Sequence, residues 1–288
     1  MLKNKVVLLG HSGFIGKEIL YQLKSEKINV RGLSSKEINL YSPSSAQLLS
    51  KILNDETTLI VASAITREHG DNISSMQKNI KMVSNVALAI EKSPIKKCVY
   101  LSSADVYGKP NGPINEKLPL NPLTFYSLAK VCSEKILEIT LTKTQTTLLI
   151  LRYNGVFGPG QKNVGYGPNY FIDSILRNGV VKLWGEGKEL RDSLYVKDLA
   201  KIIISLGLKD SSGNYNIASG KSRSFVDVLE ILKKIFPKKF SIQKKDRTNP
   251  SFDQIFDISK LKKELPGLFF CPFEKSLRET CKQFSEPI

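Results

Sequence analysis

The stretch that most constrains this chain is Val6-Val7-Leu8-Leu9-Gly10-His11-Ser12-Gly13-Phe14-Ile15-Gly16. Four consecutive apolar residues read as a buried strand, and a helical apolar pattern follows over residues 15–25. Three glycines spaced GxxGxxG between strand and helix let the backbone turn tightly and seat the helix close against the strand. The N-terminus of such a helix offers unpaired N–H groups and a positive dipole, which suit a pyrophosphate.

The same alternation continues. Strand-like runs fall at 5–10, 29–33, 58–62, 97–102 and 146–151, with helical patterns at 15–25, 46–53, 79–92 and 126–143. Apolar runs separated by helices are the signature of parallel βαβ units covered on both faces. The expected fold is α/β: a Rossmann-type doubly wound parallel sheet with a smaller C-terminal α/β lobe. Residues 1–154 form the nucleotide-binding domain, with 169–204 returning to it. Residues 155–168 and 205–288 form the second lobe, which supplies the other wall of a cleft. Past Tyr153 the texture changes to a long Gly- and Pro-rich loop, then a helix over 169–178 and a Gly-rich strand pair near Trp184. Ligands belong at the carboxyl ends of the parallel strands.

Composition narrows the partners. The 288 residues carry a formal charge of +16, yet only eight of the 43 basic residues are Arg, with little aromatic interleaving. That reads as solvated surface rather than a nucleic-acid groove, with a field that attracts small anions. Four cysteines without CxxC spacing and two histidines favour no metal site and a reducing, cytoplasmic compartment. No apolar run approaches the roughly 20 residues that span a bilayer, so no membrane partner is expected.

Tyr126 and Lys130 stand at i and i+4, sharing one helix face. An adjacent ammonium stabilises a phenolate, so the pair is expected to give a phenol acidified enough for proton transfer near neutrality. Ser103 follows the run Cys98-Val99-Tyr100-Leu101, where its hydroxyl can meet a ligand oxygen. The second strand, Asn29-Val30-Arg31-Gly32-Leu33, ends in Ser34-Ser35-Lys36 with no carboxylate in place for a ribose 2′-hydroxyl. Ser34 and Lys36 suit a 2′-phosphate, which favours NADP, with NAD as the alternative.

Several motifs now stand in one order: the glycine loop, Leu101-Ser102-Ser103-Ala104-Asp105-Val106-Tyr107-Gly108, Tyr126-Ser127-Leu128-Ala129-Lys130, Leu151-Arg152-Tyr153 with Gly158-Pro159-Gly160-Gln161, and Arg191-Asp192-Ser193-Leu194-Tyr195-Val196-Lys197-Asp198. In these the chain resembles the extended short-chain dehydrogenase/reductases of the nucleotide-sugar epimerase/dehydratase/reductase family. The resemblance implies Tyr126 as acid/base, Lys130 as its cation and a ribose ligand, and Ser103 as the hydroxyl that orients the sugar oxygen. It implies a cofactor set of Gly10, Ser12, Gly13, Phe14, Ile15, Gly16, Ser34, Lys36, Ala62, Asn79, Tyr126, Lys130 and Tyr153. Substrate contacts fall to Ser103, Asp105, Asn154, Arg191 and Arg247, with the two arginines on the diphosphate. A homodimer through the helices after Asn79 and Tyr126 is also implied.

Ala104 stands where the related 4,6-dehydratases carry an acid, which disfavours dehydration. The expected reaction is hydride transfer between NAD(P) and C4 of a nucleotide-diphosphate-linked hexose, as an NADPH-dependent 4-keto-sugar reductase. The alternative is a 4-epimerase that retains NAD. A non-catalytic NADP sensor is less favoured, because Tyr126 and Lys130 are both present, and a reductase of small ketones would leave Arg191 and Arg247 without a role.

Overall fold

The computed structural model describes residues 5–161, 165–237, 239–247 and 250–285. The chain opens with β1 (Lys5–Leu9), α1 (Phe14–Ser25), β2 (Val30–Leu33), α2 (Ser45–Ser50), β3 (Thr57–Val61), α3 (Ile73–Lys92), β4 (Lys97–Ser103), α4 (Phe125–Leu141) and β5 (Thr147–Tyr153). It continues through β6 (Val156–Phe157), α5 (Pro168–Asn178), β7 (Val180–Trp184), β8 (Leu190–Arg191), β9 (Leu194–Tyr195), α6 (Val196–Leu208) and β10 (Gly213–Ile217). It closes with β11 (Arg223–Ser224), α7 (Phe225–Ile235), β12 (Ser241–Lys245), α8 (Ser259–Glu264) and α9 (Phe273–Ser285). Among the described residues no helix is long and apolar enough to cross a membrane.

The two compact units are Met1–Gly108 with Glu116–Tyr153 and Ala200–Ile217, and Lys109–Asn115 with Asn154–Leu199 and Ala218–Ile288. This differs from the expected boundaries. Helix α5 packs within the second unit, its Phe171 ring edge-on to Phe225 of α7 at 5.6 Å, and the returning segment is Ala200–Ile217 instead of 169–204.

The first unit holds one six-stranded sheet in the order β10-β5-β4-β3-β1-β2, parallel at every pairing. Strands β3 and β4 are buried along their whole length because helices cover both faces, which suits their unbroken apolar runs at 59–61 and 98–101. One face packs Val7, Leu9, Leu59, Val61, Cys98 and Tyr100 against Val86 and Ile90 of α3 and Leu137 of α4. Helices α3 and α4 each begin on a capping box, Asn72 with Ser75 and Thr124 with Ser127, which satisfies first-turn donors. The capping box also starts α3 at Ile73, six residues before the apolar periodicity becomes legible. Strand order reverses at β1, between β2 and β3, so the crevice for a ligand opens at the carboxyl end of β1. In the second unit β7, which ends at Trp184, pairs in parallel with β12.

The glycine loop shows why only glycine serves. Gly10 sits at φ +85°, and a Cβ there would meet the Ser63 backbone N at 2.8 Å. A Cβ on Gly16 would lie 2.1 Å from the Gly10 carbonyl oxygen, a backbone atom that cannot swing away. Gly16→Ala is therefore expected to cost roughly 1–3 kcal/mol, read as a lower Tm. Gly207→Ala in α6, where the nearest atom is a Val99 methyl at 3.5 Å, is expected to be neutral or stabilising in the same assay.

Candidate active site

Two places at the carboxyl edge of the sheet collect the candidate residues of the first unit. The first is the glycine loop. The Gly10 N–H donates to the Leu33 carbonyl of β2 at 2.7 Å, and the Ala62 N–H donates to Leu9 at 2.9 Å, so the ends of β1, β2 and β3 are stitched together there. Gly13 is the N-cap of α1 and brings no side chain to satisfy its first turn. Ser12, Phe14 and Ile15 thus flank open N–H groups, and the absent Cβ atoms at Gly10 and Gly16 leave room for close backbone approach. This cradle fits the pyrophosphate of a dinucleotide.

Beside it the structure corrects the reading of β2. A carboxylate does stand at that strand end: Glu37 folds back so that Oε2 accepts from both the N–H and the hydroxyl of Ser34, each at 2.6 Å. His11 of the glycine loop lies 3.7 Å from the same oxygen. These hydrogen bonds hold the Glu37 carboxyl down at about 2, ionised throughout the neutral range. The turn Ser34-Ser35-Lys36-Glu37 hid this from a strand-by-strand reading, because the carboxylate arrives four residues after β2 ends. Ser34 is occupied by Glu37, and Lys36 is exposed. Asn79 also acts one step back: its amide donates to the Ile65 carbonyl at 2.9 Å and accepts from the Ile65 N–H at 2.8 Å, fixing the loop after β3.

The second place is the end of β4 and β5. Ser103 and Tyr153 are register partners, and the Tyr153 hydroxyl lies beside that of Tyr126. Lys130 lies one turn further along α4, its ammonium donating to the Leu101 carbonyl at 2.6 Å and sitting 5.7 Å from the Tyr126 ring centre. Ser103, Tyr126, Lys130 and Tyr153 are thus brought together. Ser103 Oγ accepts from the Asp105 N–H at 3.1 Å. The Asp105 carboxylate faces Arg67 at 3.5 Å, and Asp71 accepts the Tyr126 N–H at 2.9 Å. Arg67 and Asp71 had no sequence signal; they lie in the connection after β3 and reach this edge only through the fold.

The electrostatics reverse one expectation. Burial, not the neighbouring cation, dominates Tyr126 and pushes its hydroxyl well above the ordinary phenol range, so it is a proton donor at neutral pH. Burial also pushes Tyr153 up to about 12 and Lys130 down to about 8, the latter opposed by Glu134.

In the second unit the substrate candidates have separate fates. The Asn154 amide nitrogen donates to the Asp192 carbonyl at 2.9 Å. Arg247 forms an ion pair with Glu189 through Nη2, which also donates to the Trp184 carbonyl at 3.2 Å. Arg191 donates one nitrogen to the Leu190 and Phe252 carbonyls and stacks 4.8 Å over the Phe252 ring, with no carboxylate hydrogen-bonded to its guanidinium among the described residues. Asp192 next to it is fully buried and accepts the Ser219 and Gly220 N–H groups.

A glycine cradle on a parallel sheet, with a Ser, a Tyr and a Lys gathered two strands away, defines a dinucleotide-dependent enzyme. Residues 6–218 match the NAD dependent epimerase/dehydratase family, and the chain belongs to that family. A UDP-N-acetylglucosamine 4-epimerase from Methanobrevibacter ruminantium M1 is 29% identical, with a TM-score of 0.85 over 99% of both chains. A dTDP-D-glucose 4,6-dehydratase of Dictyostelium discoideum is 28% identical over 264 residues, 78% of this chain and 60% of that one. The dTDP-4-dehydro-6-deoxyglucose reductase of Escherichia coli is 24% identical over 91% of this chain and 92% of its own.

Tyr126→Phe keeps the ring and removes the proton, so turnover is expected to fall by about 100-fold or more, the usual scale of general acid–base catalysis. A reaction that needs the Lys130 ammonium is expected to decline as pH rises through about 8, where that group loses its proton. Lys130→Arg, whose charge persists, is expected to remove this alkaline limb from the pH profile of kcat.

Proposed function

We propose that the enzyme interconverts alcohol and ketone at C4 of a nucleotide-diphosphate-linked hexose, as a 4-epimerase that retains NAD. The reading is carried by Tyr126 held between Tyr153 and Lys130 at the sheet edge that also bears Ser103. When bound, the nicotinamide supplies a hydride acceptor and donor. Gly10, Gly13 and Gly16 with the first turn of α1 would hold the pyrophosphate, and Glu37 would accept the adenosine ribose hydroxyls. Ser103 donates to the sugar oxygen. In the oxidative half Tyr126 acts as the phenolate, which the Lys130 ammonium stabilises, and takes the proton of the sugar hydroxyl; in the reductive half it returns that proton to the ketone oxygen. Arg191 is our candidate for the substrate diphosphate, because a planar fork matches phosphate oxygens.

NADPH-dependent reduction of a 4-keto sugar is the second reading. It loses its main support once Glu37 is placed at the end of β2, since an ionised carboxylate there repels a 2′-phosphate. It keeps one favourable observation, the neutral Tyr126, which is ready to donate. The same proposal has two copies joining through α3 and α4, which expose Ile73, Leu88, Phe125, Leu128 and Ile139.

Two measurements test this. Denaturing the purified protein is expected to release stoichiometric NAD, and UDP-, dTDP-, GDP- and CDP-hexoses are expected to yield a 4-epimer with no added cofactor. Net NADPH consumption on the 4-keto forms, without bound NAD, would establish the reductase instead. Glu37→Gln is expected to weaken NAD by about tenfold, the loss of a charge-assisted hydrogen bond.

A further inference from the structure

Glu134 is a buried carboxylate with no part in the proton transfers above. It stands on α4 four residues beyond Lys130 and eight beyond Tyr126, so the three side chains form one stripe of the helix. Its Oε1 accepts from the Ser102 hydroxyl at 2.5 Å and from Arg152 Nε at 3.1 Å, and its Oε2 accepts from Arg152 Nη2 at 2.6 Å. Arg152 continues through Nη1 to the Tyr107 hydroxyl at 2.9 Å, which donates to Asn216 of β10 at 2.8 Å. Ser102 and Arg152 are register partners on β4 and β5, and each immediately precedes a residue of the active site, Ser103 and Tyr153. One carboxylate therefore grips both strands one residue below the layer where Ser103, Tyr126 and Tyr153 meet.

We propose that Glu134 is a positioning residue for the Tyr126–Lys130 pair, locking that face of α4 in register with Ser103 and Tyr153 and supplying the negative charge that Lys130 faces. The proposal rests on the reading of Tyr126 and Lys130 as the reacting pair. A purely structural anchor needs only hydrogen bonds to Ser102 and Arg152. The placement of Glu134 does more, because among the described residues Lys130 meets only a carbonyl and a ring from β4, at Leu101 and Tyr100, and the Tyr126 ring from its own helix. Glu134 is the anion that opposes the effect of burial on Lys130. Around Glu134 itself stand Arg152 from β5, Tyr100 and Ser102 from β4, and Lys135 on α4. With Glu134 neutral, Lys130 keeps its burial and loses its counter-charge, so its proton leaves at lower pH.

The experiment titrates Lys130 directly in protein carrying isotope-labelled lysine, its resonance assigned by its absence from K130R. It also follows kcat and KM for UDP-glucose epimerisation in wild type, E134Q and E134D over the same pH range. The expected result for E134Q is a Lys130 midpoint lower by about one pH unit or more, with kcat reduced and KM little changed. E134D, which keeps the charge, is expected to return the midpoint toward wild type. Because E134Q leaves the Arg152 charge buried without its partner, E134Q/R152M is made alongside, removing both members of the pair; if E134Q does not fold, the double variant carries the same expectations. A folded E134Q or double variant with wild-type midpoint and kcat overturns the proposal. If wild type epimerises no sugar nucleotide, the functional reading fails while the Lys130 midpoint still judges Glu134.

Discussion

The in-register parallel pairing of β4 with β5 is the constraint on which the rest of this molecule depends. It sets Ser102 beside Arg152 and Ser103 beside Tyr153, and so decides that the buried ion pair and the Ser103 and Tyr153 hydroxyls lie in successive layers. A slip of one residue would turn Arg152 out of the layer that Glu134 reaches and invert every side chain of the strand. Helix α4 is then held at two levels: by Asp71 on the Tyr126 N–H at its first turn, and by Glu134 two turns on. The placement of Tyr126 thus follows from the sheet.

Burial supplies the chemistry as much as it supplies stability. Taking Tyr126 out of water keeps its proton on, and taking Lys130 out of water makes its ammonium lose a proton near neutrality. Exposed, the same two side chains would titrate near their ordinary values and respond little to Glu134. Glu37 shows the opposite case. It is an exposed carboxylate whose charge is secured by two hydrogen bonds from Ser34, which keeps an acceptor ready at the end of β2.

Much of this was legible from residues alone. The apolar run before Gly10 and the glycine spacing named the first βα turn, because a close helix–strand contact tolerates no Cβ, as at Gly16. Tyr126 and Lys130 announced themselves by i, i+4 spacing. Other features carried no local signal. The start of α3 is set by the Asn72–Ser75 capping box, not by apolar periodicity. The sixth strand, Gly213–Ile217, reads as an isolated segment until it pairs with β5 from far along the chain. The partners of Asn154 and Arg247, the Asp192 carbonyl and Glu189, also come from distant segments.

What the order of residues determined by itself was the class of fold, the glycine cradle and the tyrosine–lysine pair. Each is a short-range pattern in which backbone sterics or helical period acts over a few residues. Only the tertiary structure decided that Glu37 turns back onto β2, that Arg67 and Asp71 converge on the end of β4 and α4, and that Glu134 holds both Ser102 and Arg152. These depend on where distant segments meet and on how much water the meeting excludes, and neither distance nor desolvation is written in the spacing of a motif.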